Sequence, residues 1–384
     1  MIIEQDYINK ISLAHRKKFA QFFTPEQIAT FMASWVLNGK KGTLNILEPA
    51  IGLGIFTRTM LKINPSINVT GYDIDETIFN YAQSNFNQNG RNIFLRNENY
   101  LIASWTDKYD GIICNPPYLK FHDYENARLV PLTNDKLGTH LTGFTNIYSL
   151  FLLKSISQLK EGGRLAYIIP SEFLNSDYGV EVKRVLIKSG TLRHIIVVDF
   201  TQCAFDDALT TACIIFCEKT TTSKEVCFSQ IDNLSELDSS LKDYTYINSQ
   251  ELDPEIKWRQ YYERSSSRKY SNLVKFSTFA KVSRGIATGA NNYFTFTGSK
   301  KDEYAIPDKN FRPCICHSVD VKNLIFTTED FEKLSSLDKN VYLFDVCADD
   351  TNCQVKNYIQ LGVENGINKR HLTANRSPWY ALEN

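Results

Sequence analysis

Short apolar runs alternate with segments of helical spacing along the first 219 of 384 residues. The runs have the length and residue types of buried strands and lie at 44–47, 68–72, 92–95, 109–114, 165–170, 194–198 and 212–216. Helical spacing recurs over 28–36, 56–61, 76–86, 147–156 and 180–188. Strands that alternate with helices predict a parallel sheet. The last two runs leave no room for a helix between them, so that pair is predicted to be antiparallel.

Polar or glycine-rich loops follow the first four predicted strands. They begin at Glu48, Asp73, Asn97 and Asn115. The first loop passes through Gly52 and Gly54 into a helix, a geometry in which the backbone approaches a ligand closely. Asp73 follows about 20 residues later, where an acidic residue suits the hydroxyls of a ribose. Because the carboxyl ends of parallel strands share one edge, these loops predict a Rossmann-like sheet that binds a nucleoside-containing cofactor.

The tetrad Asn115-Pro116-Pro117-Tyr118 carries the strongest chemical signal. Two consecutive prolines fix their φ angles and donate no backbone hydrogen bond, so the loop is stiff. The Asn115 side chain and the Pro116 carbonyl offer two acceptor oxygens, and Tyr118 offers a flat ring. Together they could hold a planar group and make its NH2 more nucleophilic. A Pro-Pro-Tyr sequence alone is more often a structural turn, and the neighbouring loops favour the chemical interpretation.

Turn and loop signals set the remaining boundaries. Thr24, Pro25 and Gln27 have the order of an N-cap, a first helical position and a capping-box partner. Residues 121–143 are polar and glycine-bounded, which predicts a mobile loop that acts as a lid. A polar stretch at 220–224 predicts a boundary between domains at 1–219 and 225–384.

The second predicted domain interleaves cations with aromatic residues. Such interleaving suits phosphates and stacked bases, although a charge run alone is more often a solvated face. The loop from Ser283 to Phe294 is rich in Gly and Asn, so its backbone could lie against another backbone. The predicted nucleic-acid contacts are Lys257, Arg259, Arg264, Arg268, Lys269, Arg284, Thr288 and Asn291.

Composition limits the function classes. The formal net charge is zero, so a polyanion must be met by a local basic patch. No apolar run approaches the roughly 20 residues that span a bilayer, and the N-terminus lacks a signal pattern, so we expect a cytoplasmic protein without a membrane partner. The nine cysteines are scattered and indicate reduced thiols. The run Cys314-Ile315-Cys316-His317 lacks a second pair at zinc-site spacing, so no metal is expected.

Together the motifs resemble the gamma-class adenine-specific DNA methyltransferases of restriction–modification systems. Phe22-Phe23-Thr24-Pro25 resembles the N-terminal cofactor motif of that family. Glu48-Pro49-Ala50 with Gly52 and Gly54 resembles its glycine motif, and the tetrad at 115–118 resembles its catalytic motif. The match is specific over about residues 17–219 and looser beyond. It implies a seven-stranded, Rossmann-like methyltransferase sheet with an antiparallel last strand and a C-terminal mixed domain that recognises DNA.

The resemblance implies methyl transfer from S-adenosylmethionine to the 6-amino group of a flipped adenine in duplex DNA, with a cognate restriction endonuclease as a partner. The implied cofactor contacts are Phe22, Thr24, Glu48, Pro49, Ala50, Gly52, Gly54, Asp73, Ile74, Asn99, Tyr100 and Asn115. The implied catalytic residues are Asn115, Pro116, Pro117, Tyr118 and Phe205, with Phe205 stacking the base against Tyr118. The family usually has Asp where this chain has Asn99, so we expect weaker or retuned cofactor binding.

Other interpretations stay open at this point. The same tetrad chemistry serves a glutamine amide of a protein or a base in RNA, and a silent DNA-binding subunit would keep the fold. The basic and aromatic C-terminal half favours DNA, and the intact tetrad favours catalysis. Larger members of the family often continue beyond a segment like Pro378-Trp379-Tyr380, so the chain is expected to be a compact enzyme or a piece of a longer one.

Overall fold

The protein divides into two compact units, Met1–Arg268 and Lys269–Asn384. The computed structural model describes residues 2–87, 92–198, 211–220, 225–242, 244–263, 274, 276–283, 285–347 and 349–382. Within this part of the chain, no helix is both long enough and apolar enough to cross a membrane.

A nine-stranded sheet forms the centre of the first unit. Its strands are β1 (Asn45–Glu48), β2 (Asn68–Tyr72), β3 (Ile93–Arg96), β4 (Tyr109–Cys114), β5 (Leu159–Pro170), β6 (Leu192–Val198), β7 (Ala212–Glu218), β8 (Glu225–Ile231) and β9 (Thr245–Asn248). The strand order is β3-β2-β1-β4-β5-β7-β6-β8-β9. Strands β1 to β5 pair in parallel, and β7 is antiparallel to both β5 and β6. The predicted sheet is therefore confirmed as far as β7, and two further strands extend it.

Helices cover both faces of this sheet. They are α1 (Ile2–Lys10), α2 (Leu13–Lys18), α3 (Glu26–Leu37), α4 (Ile55–Ile63), α5 (Glu76–Asn87), α6 (Asn126–Leu137), α7 (Ile147–Ser157), α8 (Gly179–Ser189), α9 (Leu237–Ser240) and α10 (Arg259–Tyr262). Ile112 and Ile113 are adjacent in β4 and join opposite cores, because successive strand residues face opposite sides. Val36 of α3 is buried on one side, and Leu152 of α7 is buried on the other.

Two boundaries differ from the sequence prediction. The first unit does not end at residue 219, because β8 pairs in parallel with β6, from His194 opposite Cys227 to Val198 opposite Ile231. The segment 121–143 is also not a continuous loop, since it contains the twelve-residue helix α6. The buried side of that helix includes the polar Thr133, which interrupts the apolar pattern that the prediction relied on.

The second unit is a small mixed α and β structure. Its antiparallel strands lie in the order β10 (Thr295–Phe296), β12 (Tyr342–Phe344) and β11 (Phe311–Pro313). Its helices are α11 (Asn291–Phe294), α12 (Gly298–Tyr304), α13 (Thr328–Ser336), α14 (Cys353–Glu364) and α15 (His371–Ala374). Aromatic rings fill its core, where Tyr293 and Tyr358 stack at 4.7 Å between ring centroids.

Candidate active site

The loops after β1 to β4 surround a cavity of about 500 Å³ at the carboxyl edge of the sheet. The parallel pairing of these strands places their loops side by side, as the sequence predicted. The predicted site residues that line this cavity are Phe22, Thr24, Pro49, Ala50, Gly52, Asp73, Ile74, Asn99, Tyr100, Asn115 and Pro117. Eleven loop residues from distant parts of the sequence thus meet around one space.

Asn115 presents one amide oxygen that lacks a partner. Its Nδ2 donates to the Phe22 carbonyl oxygen at 3.0 Å and to Thr24 Oγ1 at 3.1 Å, which fixes the orientation of the amide. Its Oδ1 is buried and accepts no hydrogen bond from the described residues. A buried unpaired acceptor is costly, so this oxygen is poised for a ligand donor. Thr24 therefore holds the amide of Asn115, and Pro25 rather than Thr24 is the N-cap of α3.

Tyr118 packs beside the cavity and is held by aromatic neighbours. Its ring stacks on Phe22 at 5.6 Å with an interplanar angle of 24°, and Tyr148 meets it edge-on at 6.4 Å. Its hydroxyl donates to the Ile168 carbonyl oxygen at 3.2 Å. Burial raises the pKa of the Tyr118 phenol, so the ring stays neutral. Pro116 is buried before it, and the predicted partner Phe205 lies outside the described residues.

The glycine loop and the loop after β2 bind each other. The Gly52 N–H donates to Asp73 Oδ2 at 2.9 Å, and the Asp75 N–H donates to Oδ1 at 3.0 Å. Gly52 has φ 51°, and Gly54, the N-cap of α4, has φ 73°, a backbone region that favours glycine. Each Asp73 oxygen keeps a lone pair for a hydroxyl donor. Burial raises the pKa of Asp73 to about 6, which leaves most of the carboxyl ionised at neutral pH.

Glu48 lies behind the wall of the cavity instead of on it. The side chain is fully buried, and its Oε2 accepts from Thr57 Oγ1 at 2.5 Å and from the Thr57 N–H at 3.0 Å. Burial raises the pKa of Glu48 to about 8. Glu48 thus satisfies a free N–H in the first turn of α4. Glu48 does not line the cavity, so this geometry favours a structural role, and its implied contact with a cofactor stays a prediction.

The Glu48→Gln variant is expected to lose less stability than the parent protein as the pH rises from about 5 to 9. The native state holds the Glu48 proton between its ordinary pKa and about 8, so stability falls with pH in that window by up to about 1.4 kcal/mol per pH unit. Glutamine keeps the acceptor for Thr57 and cannot ionise. Thermal unfolding across this pH range measures the difference, with the exposed Glu161→Gln as the control. Parallel pH profiles for Glu48→Gln and its parent would contradict the buried neutral carboxyl.

Asn99 organises the third loop of the cavity. Its Oδ1 accepts from the Leu101 N–H at 2.9 Å and caps the 3-10 turn Tyr100–Ile102. An amide oxygen has two lone pairs, so a second donor from a ligand can still bind it. The Tyr100 hydroxyl donates to Gln158 Oε1 at 2.6 Å, which ties the turn to α7. Asn99 therefore shapes the loop as well as lining the cavity.

A hydrogen-bond network supports the segment after the tetrad. Asn146 Oδ1 accepts from the Phe121 N–H at 3.2 Å, while Asn146 Nδ2 donates to Glu172 Oε1. The Tyr178 hydroxyl donates to the same carboxylate oxygen at 3.0 Å, and the Tyr148 hydroxyl lies 2.5 Å from that of Tyr178. Because Tyr148 also meets the ring of Tyr118, the network supports the tetrad through a second aromatic contact in addition to Phe22.

Sequence reasoning missed two parts of the cavity wall. Residues before α3 and at the start of α6 also line it, and they are Lys18, Phe19, Gln21, Tyr124, Glu125, Arg128 and Leu129. Gln21 Nε2 donates to Asp75 Oδ2 at 2.6 Å, and the Tyr7 hydroxyl donates to Gln21 Oε1 at 3.1 Å. Neither segment has a sequence motif of its own, although Gln21 directly precedes the Phe22 motif. Their place in the wall depends on long-range contacts.

The predicted nucleic-acid contacts have mixed outcomes. Four of them lie outside the described residues, namely Arg264, Arg268, Lys269 and Arg284. Lys257 and Arg259 are exposed in the first unit, where Arg259 pairs with Glu263. In the second unit Asn291 is exposed, but Thr288 is only 4% exposed and its hydroxyl donates to Asn291 Oδ1 at 2.5 Å. This geometry favours a structural role for Thr288 over direct contact with a nucleic acid.

Potential metal ligands do not cluster in the described part of the chain. No group of three His, Cys, Asp or Glu side chains has a geometry that could hold an ion there. Cys314 and Cys316 lie with their sulfurs 3.2 Å apart, and burial raises the pKa of the Cys314 thiol to about 12. The pair is therefore a contact between two protonated thiols.

Family models match both units of the chain. Residues 15–205 match the Eco57I restriction-modification methylase, and residues 258–384 match the C-terminal domain of the type II methyltransferase M.Eco57I. The two matches together cover most of the sheet and the second unit, and their order along the chain is the order that the sequence analysis expected.

Known relatives agree with these matches. Type II methyltransferase M.AccI of Acinetobacter calcoaceticus is 52% identical over an alignment of 393 positions, which covers all of this chain and 72% of M.AccI. M.HincII of Haemophilus influenzae is 27% identical over 60% of this chain and 40% of its own length. The methyltransferase subunit of a type I restriction–modification system from Streptococcus thermophilus shares the fold, with a TM-score of 0.53 and 18% identity over 60% of this chain and 56% of that subunit. The chain therefore belongs to the Eco57I-type family of gamma-class restriction–modification methyltransferases.

Proposed function

We propose that this methyltransferase transfers a methyl group from S-adenosylmethionine to the 6-amino group of adenine in duplex DNA. The observation that carries the proposal is the buried, unpartnered Oδ1 of Asn115. An amino group of a planar base supplies the donor that this oxygen lacks, and the adjacent Pro116 carbonyl offers a second acceptor. The expected acceptor pair thereby selects an NH2 and orients its nitrogen.

The cavity fits the proposed cofactor. Asp73 can accept from ribose hydroxyls, and Ile74, whose side chain is 61% exposed, offers an apolar surface for the adenine ring. Asn99 and the turn that follows it would lie at the edge of that ring. The bound cofactor would supply a methyl group on a positively charged sulfur. The neutral thioether that remains after transfer is a good leaving group. Asp73 and the glycine loop would hold the nucleoside.

The residues act mainly by positioning the reactants. In the proposed reaction the base nitrogen would bond to the methyl carbon while the carbon–sulfur bond breaks, and the nitrogen would then lose a proton to water. Asn115 and the Pro116 carbonyl would align the nitrogen, and alignment alone can account for a large part of a rate enhancement. Tyr118 would stack on the base. The base must leave the duplex, which costs a few kcal/mol and is offset by stacking of about 1–3 kcal/mol.

Duplex DNA is the favoured substrate for this geometry. M.AccI, a type II methyltransferase, is related over the whole chain, and the solved DrdV–DNA complex shares the fold of both units, with a TM-score of 0.54 over 88% of this chain. Exposed Lys257 and Arg259 belong to the same unit as the cavity, where they can meet phosphates. A glutamine amide or an RNA base could also satisfy the Asn115 acceptor, so both belong in the experiment as competing substrates.

The proposal is tested by transfer of a labelled methyl group. Labelled S-adenosylmethionine is incubated with the protein and mixed-sequence duplex DNA, with RNA and a protein extract in parallel, and the products are digested to nucleosides and amino acids. We expect label in 6-methyladenine from DNA. Label only in RNA or glutamine, or cofactor binding without transfer, would overturn the proposed substrate and favour the alternatives.

Tyr118→Ala is expected to lower turnover about 10- to 100-fold, because about 1–3 kcal/mol of base stacking is lost. The cofactor dissociation constant should change little, since Tyr118 stands beside the cavity and does not line it. Single-turnover methyl transfer and calorimetric cofactor titration measure the two effects. Tyr118→Phe keeps the ring and loses one hydrogen bond to Ile168, so it should retain turnover within about five-fold. Equal losses of turnover and cofactor affinity in Tyr118→Ala would contradict the assigned stacking role.

A further inference from the structure

Lys154 is a fully buried lysine on α7, and it does not line the cavity. Its Nζ donates to the Tyr100 carbonyl oxygen at 2.5 Å and to the Ala103 carbonyl oxygen at 3.0 Å. The same nitrogen lies 4.4 Å from the centre of the Tyr100 ring and 4.5 Å from that of Trp105. All of these contacts are to one segment, the 3-10 turn after Asn99 and the residues that follow it.

That segment presents its other side to the cavity. Asn99, Tyr100 and Ile102 line the cavity, while the carbonyl groups of Tyr100 and Ala103 meet Lys154. The Trp105 indole N–H donates to the Leu101 carbonyl oxygen at 3.1 Å, so a second side chain also holds the turn. If the turn moved away from α7, Asn99 and Ile102 would shift toward a ligand bound in the cavity.

The placement of Lys154 is unfavourable for the lysine itself. Burial lowers its pKa to about 7, and the acidic groups of Asp107 and Glu98 oppose this shift only in part. A buried amine is tolerated where it is fully hydrogen-bonded, and here the hydrogen bonds go to the cavity turn. Methionine would fill a similar volume without this cost. The hydrogen bonds to the cavity turn therefore offset the cost of burying the lysine, and they give this side chain its role.

We propose that Lys154 is a positioning residue for the cofactor, which holds the Asn99–Ala103 turn in the conformation that receives the nucleoside. The inference rests on the proposed function, because it takes S-adenosylmethionine as the ligand. Lys154 touches neither the cofactor nor the reacting atoms. It acts through the backbone of the turn, so its loss weakens cofactor affinity more than it slows the transfer step.

Lys183 provides a matched control within the same unit. It is also a buried lysine, with 1% exposure, and its Nζ donates to the carbonyl oxygens of Ile256 at 2.7 Å and Leu174 at 3.4 Å. Its Nζ lies 5.8 Å from the centre of the Trp258 ring. None of these residues lines the cavity. Lys183→Met therefore reproduces the loss of a buried lysine without touching the cavity turn.

The test compares cofactor binding by the parent protein, Lys154→Met and Lys183→Met. Isothermal titration with S-adenosylhomocysteine, the demethylated cofactor, measures affinity without DNA or turnover. We expect a dissociation constant raised about 10-fold or more for Lys154→Met, which is about 1.4 kcal/mol of weaker binding, and an unchanged value for Lys183→Met. Thermal unfolding should show comparable losses of stability for both variants. At saturating cofactor, methyl transfer by Lys154→Met should return to within a few-fold of the parent rate.

Trp105→Phe keeps the test decisive if Lys154→Met fails to fold. This change at a partly buried position removes the hydrogen bond to Leu101 and leaves a smaller ring beside Lys154, so it should raise the dissociation constant about three- to ten-fold with little loss of stability. Parental affinity in both Lys154→Met and Trp105→Phe, or in Trp105→Phe alone when the other variant does not fold, overturns the inference. Equal weakening by Lys154→Met and Lys183→Met also overturns it. A parent protein that does not bind S-adenosylhomocysteine overturns the proposed function and this inference with it.

Discussion

Asn115→Ala is expected to lower the rate of methyl transfer about 1,000-fold, the loss that follows removal of one preorganised hydrogen-bonding group from an active site. The side chain supplies the unpartnered Oδ1, and alanine leaves no acceptor there. Its Nδ2 contacts with Phe22 and Thr24 are lost as well, so cofactor affinity should also fall, by about one order of magnitude or less. Single-turnover transfer to DNA and calorimetric titration with S-adenosylhomocysteine measure the two losses separately.

Two further variants separate the roles of this amide. Asn115→Asp keeps an oxygen acceptor and loses the N–H donors, so it should retain more transfer activity than Asn115→Ala. Thr24→Val removes one acceptor of the Asn115 N–H and leaves Oδ1 in place, so its transfer rate should stay within about ten-fold of the parent. A rate for Asn115→Ala within about ten-fold of the parent would contradict the role of Oδ1 as a preorganised acceptor. A loss of that size is no larger than the loss of one ordinary hydrogen bond.

The parallel half of the sheet was predictable because its signals are local. Each strand is a short apolar run, and the polar residue that ends it is adjacent in sequence. Strand alternation then brings Gly52, Asp73, Asn99 and Asn115 to one edge without any knowledge of packing. The antiparallel β7 followed equally from the short connection after β6.

The missed features depend on contacts between distant residues. Strand β8 pairs with the edge of β6 that β7 leaves free, and β9 pairs with β8. No local sequence pattern predicts either pairing. Helix α6 buries Leu129 and Thr133. Because Thr133 is polar, it interrupts the run of apolar residues at helical spacing that would have predicted the helix. The wall before α3 depends on Gln21 and Asp75, which are 54 residues apart.

A motif fixes the residue but not the direction of its side chain. Glu48 lies in the glycine motif, yet its carboxyl is fully buried and accepts hydrogen bonds from Thr57 in the first turn of α4. Thr288 lies in a loop with the composition of a backbone-binding segment, yet its hydroxyl bonds to Asn291. Both side chains have structural roles. Each forms a hydrogen bond to a nearby N–H or amide of the protein, and that partner competes with an external ligand for the same polar atom.

Gly179→Ala is expected to destabilise the first unit by about 3 kcal/mol or more. Helix propensity alone predicts the opposite sign, since alanine in a helix is favoured over glycine by up to about 1 kcal/mol. An added Cβ would overlap the carbonyl oxygen of Phe173 and lie 2.6 Å from its carbonyl carbon, and neither backbone atom can rotate away. Either α8 or the buried turn Ser171–Leu174 must move. Thermal or urea unfolding of the variant measures the loss.

The displacement would also reach the active site, because Glu172 in this turn and Tyr178 beside Gly179 hold the network around Asn146 and Tyr148. We therefore expect methyl transfer to fall in Gly179→Ala even at temperatures where the protein stays folded. Gly143→Ala is the matched control, since its added Cβ would meet only Asn126 Nδ2 at 4.0 Å and should change stability by less than about 0.5 kcal/mol. If Gly179→Ala is as stable as Gly143→Ala, the close packing of α8 on this turn is wrong, and so is the support it gives to Tyr118.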